Sequence, residues 1–245
     1  MGKLFLLTAL FIAVMAVGAA GQEAFEKDII QTSAGDLQIT FIGHGTLMFT
    51  FGGKIIHVDP VSKEADYTKL PKADLVLITH HHGDHLDLKA LDILRTPKTA
   101  VVLTEICAQQ VKGGIVMKNG DVKMIDGLKI EAVPAYNIVH MRSEGKPFHP
   151  KGEGNGYIIT FGDKRVYVAG DTENTPEMKK LKQIDIAFLP MSLPPTMTPE
   201  MVGDAAKAFK PKILYPYHYG ETNTTKIVEL LKNTKEVEVR IRKMK

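Results

Sequence analysis

An α/β domain, with sheets packed together and helices outside, is the fold class that this sequence predicts. Three observations carry it. Short apolar stretches of strand character dominate early and alternate with helical ones later, the pattern of layered α/β proteins. The chain has 245 residues, and a content of 44% hydrophobic and 24% charged residues suits a protein that buries a real core. No linker and no internal repeat can be read in it, so one domain is expected.

The elements follow in order. Residues 37–60, LQITFIGHGTLMFTFGGKIIHVDP, read as successive short strands, because Leu37, Ile39 and Phe41 alternate, as do Leu47, Phe49 and Phe51. Gly52-Gly53 between them is a hairpin signal. Residues 73–80, ADLVLITH, form a continuous apolar run, as in a strand buried on both faces. Residues 87–95 place Leu88, Leu91 and Leu94 at helical spacing, with Asp87 as N-cap. Strands are expected over 99–104, 129–135, 156–162, 164–171, 185–190 and 212–218. Helices are expected over 199–210 and 224–233, the first opened by Thr198 and Pro199. The stretch 136–155 is long, polar and irregular, and holds His140 and His149.

The first residues stand outside this scheme. Lys3 precedes an unbroken apolar run from Leu4 to Ala20, closed by small residues and Gln22. That layout predicts a signal peptide over 1–21 and a mature domain over 22–245, exported to the periplasm or secreted. An uncleaved N-terminal anchor is the other reading, and the only route to a membrane. The formal charge of +3, without a basic stripe, argues against nucleic acid. Cys107 is the sole cysteine, so neither a disulfide nor a thiolate zinc site is expected; it reads as a small buried apolar residue.

Chemistry concentrates in THHHGDHLD, residues 79–87. Neutral imidazoles and carboxylates are ligands for zinc and similar cations. Alternate residues of an extended segment point the same way, so His80 and His82 can share one ion while His81 points elsewhere. Asp84 and His85 lie further along and can face a second ion. The segment leaves a buried strand, which puts it at the carboxyl edge of a sheet, where α/β folds hold their sites. Further ligands must come from other strand ends, and Asp171 in GDT and His218 in PYHYGET are candidates.

Together, GHGT (43–46), DP (59–60), THHHGDHLD (79–87), GDT (170–172) and PYHYGET (216–222) resemble the metallo-β-lactamase superfamily, its lactonase and phospholipase D type branch most of all. The resemblance spans roughly Leu37 to Arg242 and implies an αββα four-layer sandwich with a dinuclear site at one edge. It implies His80 and His82 at the first metal, Asp84, His85 and His218 at the second, and Asp171 as bridge. The first site needs a third histidine. Asn137 stands where many members have one; His149 is the preferred substitute and His140 the second. Asp59 is a candidate acceptor for a ligand's other ring N–H. His44 is a candidate substrate contact and His57 reads as structural.

The function expected is a zinc-dependent hydrolase with two Zn2+ per chain, Mn or Fe being the alternatives. A metal-bound hydroxide between ions about 3.5–4 Å apart would attack an ester, lactone or phosphodiester centre. Asp84, Asp171 and His44 are its expected catalytic residues. The substrate is expected to be a small molecule; Lys146 and Lys151 either favour an anionic one or only solvate the loop that carries them. The competing expectation is a non-catalytic metal-binding or interaction protein on the same scaffold.

Overall fold

The computed structural model describes residues 25–245; the segment expected as a signal peptide, 1–21, lies outside the described residues. Between Glu26 and Val116 seven strands pair in chain order: β1 (Glu26–Thr32), β2 (Gly35–Gly43), β3 (Thr46–Phe51), β4 (Lys54–Val58), β5 (Leu75–Leu77), β6 (Ala100–Leu103) and β7 (Ile115–Val116). Helix α1 (Leu88–Leu94) lies between β5 and β6 in the chain. From Val122 the chain adds β8 (Val122–Ile125), β9 (Leu128–Ala135), a separate ribbon of β10 (Met141–Ser143) and β11 (Lys146–Pro147), then β12 (Gly154–Phe161) and β13 (Lys164–Val168). There follow α2 (Pro176–Lys179), β14 (Ile186–Pro190), α3 (Pro199–Phe209), β15 (Ile213–Tyr217), α4 (Thr225–Leu231) and β16 (Glu238–Val239). The second sheet has the order β16-β15-β14-β13-β12-β9-β8.

Each sheet begins antiparallel and turns parallel. β1 to β4 pair antiparallel and β4 to β7 parallel. In the second sheet β8, β9, β12 and β13 are antiparallel, and β13 to β16 parallel. The period-2 alternation of strands decides what lies between the sheets. Leu75 and Leu77 face Val166, Val168, Ile186, Phe188, Tyr215 and Tyr217 in the shared interior. Val76 and Ile78 turn outward under Ala90, Leu91 and Leu94 of α1. Tyr167, Ala187, Leu189 and Leu214 turn outward under Val202, Ala206 and Phe209 of α3 and Ile227 of α4. The result is helix, sheet, sheet, helix: the αββα sandwich. Truncating an interior side chain such as Leu77 to Ala would cost about 2–5 kcal/mol.

Local signals place the elements. Both glycines of the β3–β4 turn have positive φ, 57° at Gly52 and 78° at Gly53, the geometry of a type I′ hairpin. The Asp87 side chain accepts from Lys89 N and Ala90 N to start α1, and Thr198 accepts from Met201 N to start α3. β1 was not expected from the sequence. Its residues, EKDIIQT, form a half-exposed edge strand without an apolar face of its own. It is held by the ladder to β2 and by Asp28, which accepts from Arg242 Nη2 at 2.8 Å and from the Tyr215 hydroxyl. Those partners lie about 190 to 215 residues away in sequence, beyond any local pattern. The run 73–80 contributes only three ladder residues; after Ile78 N bonds Val102 O, the chain leaves the sheet and frees the histidines that follow. The stretch 136–155, expected to be irregular, carries the β10–β11 ribbon.

Candidate metal centre

Six chain segments meet at one edge of the sandwich: the β2–β3 turn and those beyond the carboxyl ends of β4, β5, β9, β13 and β15. β5 runs out into His80, His82, Asp84 and His85; β13 ends before Asp171; β15 ends before His218; the β10–β11 ribbon is followed by His149. The turn between β2 and β3 brings His44. Three of these hinge positions hold left-handed backbone, with φ of 50° at His44, 45° at Asp59 and 47° at His218. Non-glycine residues rarely accept that conformation, and strain of this kind clusters where side chains must be aimed. Gly170, with φ 66°, is packed so closely that a Cβ would lie 3.0 Å from both Asn155 O and Thr79 Cβ. This lets the Asp171 strand end lie against the β5 strand end.

Asp171 sits at the centre. Its Oδ2 lies 3.4 Å from His149 Nε2, 3.5 Å from His218 Nε2 and 3.9 Å from His80 Nε2, and its Oδ1 lies 3.3 Å from His85 Nε2. The ligand atoms of His80, His82 and His149 lie within 4.8 Å of one another, as do those of His80, His85 and Asp171, and those of His44, Asp84, His85 and His218. Every residue expected at either metal from the sequence is therefore brought into one cluster. His140 is not: its Nδ1 lies 2.8 Å from Glu173 Oε1, turned out of the group. His57 is buried on the far face of β4, against the Tyr67 ring. Asp84 is half-exposed, with Oδ2 3.3 Å from His44 Nε2 and 3.7 Å from His218 Nε2.

The outward nitrogen of each ring has its own partner, and this sets which nitrogen faces inward. His85 Nδ1 donates to Asp59 Oδ2 at 2.7 Å, and Asp59 is itself held by Thr79 N at 2.8 Å and Thr79 Oγ1 at 2.6 Å. His80 Nδ1 meets Thr79 Oγ1 at 3.1 Å, and His218 Nδ1 meets Ser192 Oγ at 2.8 Å. His149 Nδ1 donates to Asn137 Oδ1 at 2.7 Å. Asn137 thus stands behind His149 rather than in its place. Such outer partners fix tautomer and ring orientation in metal sites. His82 points Nδ1 at His149 Nε2, 3.1 Å away, and Nε2 at Arg142 Nη2, 3.3 Å away.

Electrostatics keep His80, His149, Asp84 and Asp171 in ligand form. Burial holds the His80 imidazole well below its usual value, and it holds His149 down to about 4. Burial alone would raise the Asp171 carboxyl, but His218 and His85 outweigh it and keep Asp171 well below the usual carboxylate range. Asp84 is likewise depressed against burial, by His218 and His44. His85 is the opposite case: burial disfavours its charge, yet Asp171 and Asp59 on either side raise it well above normal.

The inward atoms His80 Nε2, His85 Nε2, His218 Nε2 and Asp171 Oδ1 are buried and have no hydrogen-bond partner among the described residues. The 3.3 Å approach of His85 Nε2 to Asp171 is close but misaligned for a hydrogen bond. Each orphaned buried group costs about 1–3 kcal/mol. Four of them converging on a shared point fit divalent cations, whose bonds to imidazole nitrogen and carboxylate oxygen would satisfy all of them together.

Two supports escaped the sequence reading. Glu173, fully buried, accepts from Ile138 N at 2.8 Å, Val139 N at 2.9 Å, His140 N at 2.7 Å and Asn137 Nδ2 at 3.1 Å. It follows Asp171 by two residues, and that carboxylate pair in GDTEN was the available signal. Ser192 had no signal, since its role depends on a loop folding back onto β15. Of the two readings of Lys151, facing substrate or solvating its loop, the first is not met: Lys151 is paired with Glu177 at 2.7 Å and stacked on the Tyr136 ring.

Comparison with known proteins agrees with this geometry. Residues 38–218 match the Beta-lactamase superfamily domain family. A UPF0173 metal-dependent hydrolase from Pelotomaculum thermopropionicum is 32% identical over 204 residues, covering 79% of this chain and 87% of the relative. One from Thermococcus onnurineus is 33% identical over 196 residues, covering 75% and 84%. Among solved structures, a protein assigned as a metal-dependent hydrolase from Parabacteroides distasonis superposes with TM-score 0.86 at 50% identity, covering 90% of this chain and 100% of its own. Igni18, a metallo hydrolase from Ignicoccus hospitalis, gives 0.70 at 28% identity, covering 85% and 95%. The chain belongs to the metallo-β-lactamase superfamily of metal-dependent hydrolases.

Proposed function

We propose that the protein is an exported dinuclear zinc hydrolase acting on an ester, lactone or phosphodiester bond of a small molecule. His80, His82 and His149 would hold one cation, Asp84, His85 and His218 the other, with Asp171 between them. The observation that carries this reading is the convergence of buried, unpartnered ring nitrogens on the Asp171 carboxylate. Bound there, the cations would supply Lewis acidity, activating a water near neutral pH and stabilising the oxygen that gains charge.

The chain's own residues do the rest. Asp171 remains ionised in a buried setting and so can be shared without first losing a proton. The neutral His80 and His149 rings offer lone pairs at neutral pH. His44 lies 3.3 Å from Asp84 and is partly exposed beside it, which suits a contact to substrate. Ser192, the hydroxyl nearest the cluster through His218, is engaged by His218 Nδ1 and Thr196, which does not suit a free nucleophile. Export is proposed from the N-terminal apolar run alone.

The test is metal analysis of the purified protein with a panel of lactone, phosphodiester, thioester and β-lactam substrates, on wild type and Asp84→Ala. The variant should keep its circular dichroism spectrum and lose turnover by about a thousandfold, as expected when an activated water is lost. Full activity in Asp84→Ala, or a wild type that retains no metal, overturns the proposal. The N-terminal mass of protein recovered from a periplasmic fraction tests export.

A further inference from the structure

The β10–β11 ribbon does more than connect β9 to His149. With the segment that follows it, it forms an open cleft of about 540 Å³ whose walls include His81, His82, Arg142, Lys146, Phe148 and Glu153. The cleft therefore shares His82 with the metal cluster. Of the chain's five arginines, Arg165, Arg240 and Arg242 sit in carboxylate ion pairs and Arg95 donates to the Lys112 carbonyl. Arg142 has none of these. Among the described residues its one polar contact is His82 Nε2, at 3.3 Å, and its guanidinium lies 5.5 Å from the centre of the Phe148 ring. Lys146, across the ribbon turn, likewise has no carboxylate within ion-pair distance among the described residues. Glu153 in the same wall pairs with neither.

A guanidinium carries five donors in a planar fork suited to carboxylate or phosphate. With His82 holding a cation through Nδ1, its Nε2 carries the ring proton and accepts none of these donors, and stacking on Phe148 limits the side chain's freedom without consuming any. The unspent donors lie beside a residue of the reacting centre. We infer that Arg142, assisted by Lys146, is a specificity-determining anion subsite for a substrate bearing a carboxylate or phosphate group beside its scissile bond. The inference rests on the hydrolase reading and deepens it, because the subsite and the metal cluster share His82 and would hold two ends of one small molecule. Lys151, the other cation of this stretch, takes no part.

The experiment uses the full zinc-loaded protein, with Arg142→Gln, Arg142→Lys and Lys146→Gln. Arg142 is exposed on a two-stranded ribbon, so its replacement leaves the core intact. Succinate and ethyl phosphate binding are measured by calorimetry, with zinc content recorded for each variant. Arg142→Gln should weaken both probes about tenfold at unchanged zinc content, Lys146→Gln less, and Arg142→Lys should recover part of the loss. The stronger of the two probes identifies carboxylate or phosphate as the preferred group. In parallel, the ratio of kcat/KM for mono-p-nitrophenyl succinate over p-nitrophenyl butyrate should fall about tenfold in Arg142→Gln. Equal affinity for both probes in wild type and Arg142→Gln overturns the subsite while leaving any measured hydrolysis standing. Arg142-dependent binding with no ester, lactone or phosphodiester turned over upholds the subsite and overturns the hydrolase reading instead.

Discussion

Replacing Glu173 by Gln isolates what a single buried carboxylate does for the metal centre. Its Oε2 accepts from Ile138 N and Val139 N, and its Oε1 from His140 N and Asn137 Nδ2. Burial opposes the charge, but these donors outweigh it and lower the Glu173 carboxyl. A glutamine has one carbonyl oxygen, so one pair of donors would face an NH2 group instead. Two buried donors left unpaired cost about 1–3 kcal/mol each, giving about 3 kcal/mol in all. In a domain of this size that is roughly 6–12 °C in Tm. The second consequence is specific to function. With the NH2 group in the Oε1 position, Asn137 Nδ2 would keep only its bond to the Pro195 carbonyl at 3.0 Å and be held less firmly, and Asn137 Oδ1 is what orients His149. Loss of such an outer partner lowers metal affinity about 10–100-fold. Thermal unfolding of the metal-free protein and zinc competition against a chromophoric chelator read the two effects separately. A Tm within about 2 °C of wild type, or an unchanged zinc affinity, would refute the reasoning.

Three further outcomes are expected. Asp171→Asn should bind zinc far more weakly and lose the Tm rise that zinc gives wild type, since ligand binding to the folded state stabilises it in proportion to the logarithm of ligand over Kd; an equal zinc-dependent rise in both proteins would contradict the central placement of Asp171. His57 is buried with neither ring nitrogen hydrogen-bonded among the described residues, and burial holds its ring down to about 4. The unfolded ring takes a proton near 6.5, so His57 subtracts stability as pH falls from about 6.5 to 4, by about 2 kcal/mol at pH 5. His57→Leu should remove that part of the pH slope, measured as the wild-type-minus-variant difference in urea unfolding at pH 7 and 5; a constant difference refutes it. Burial would raise the Asp28 carboxyl, but Tyr215 and Arg242 hold it lowered, so its stabilisation is present above the unfolded carboxyl value and lost as pH falls through the folded one. Asp28→Asn should therefore cost about 1–3 kcal/mol at pH 7 and progressively less in acid, as urea midpoints at the two pH values will show.

The histidine run at 80–85 and the strands and helices around it were legible because their signals are local. An alternation, an N-cap or a ligand spacing needs only neighbours in the chain, and the turn at Gly52-Gly53 and the cap at Asp87 formed where those rules place them. The ends of Asp171 and His218 could be nominated as strand ends, but nothing in their flanking residues says how far apart they lie. β1 had no signal, because it is made an edge strand by Arg242 and Tyr215 at the other end of the chain.

By itself, the sequence determined which imidazoles and carboxylates could serve as ligands, the alternation that sends one side of each strand to the shared interior, and the superfamily. The tertiary structure alone decided that Asn137 orients His149, that Glu173 holds Asn137, that Lys151 is spent on Glu177 and that Arg142 is not spent at all. The reason is physical: local pattern fixes which chemistry a residue can offer and which face it takes. Partnership is a distance, and distances between strands remote in sequence exist only once both sheets have closed on a common core.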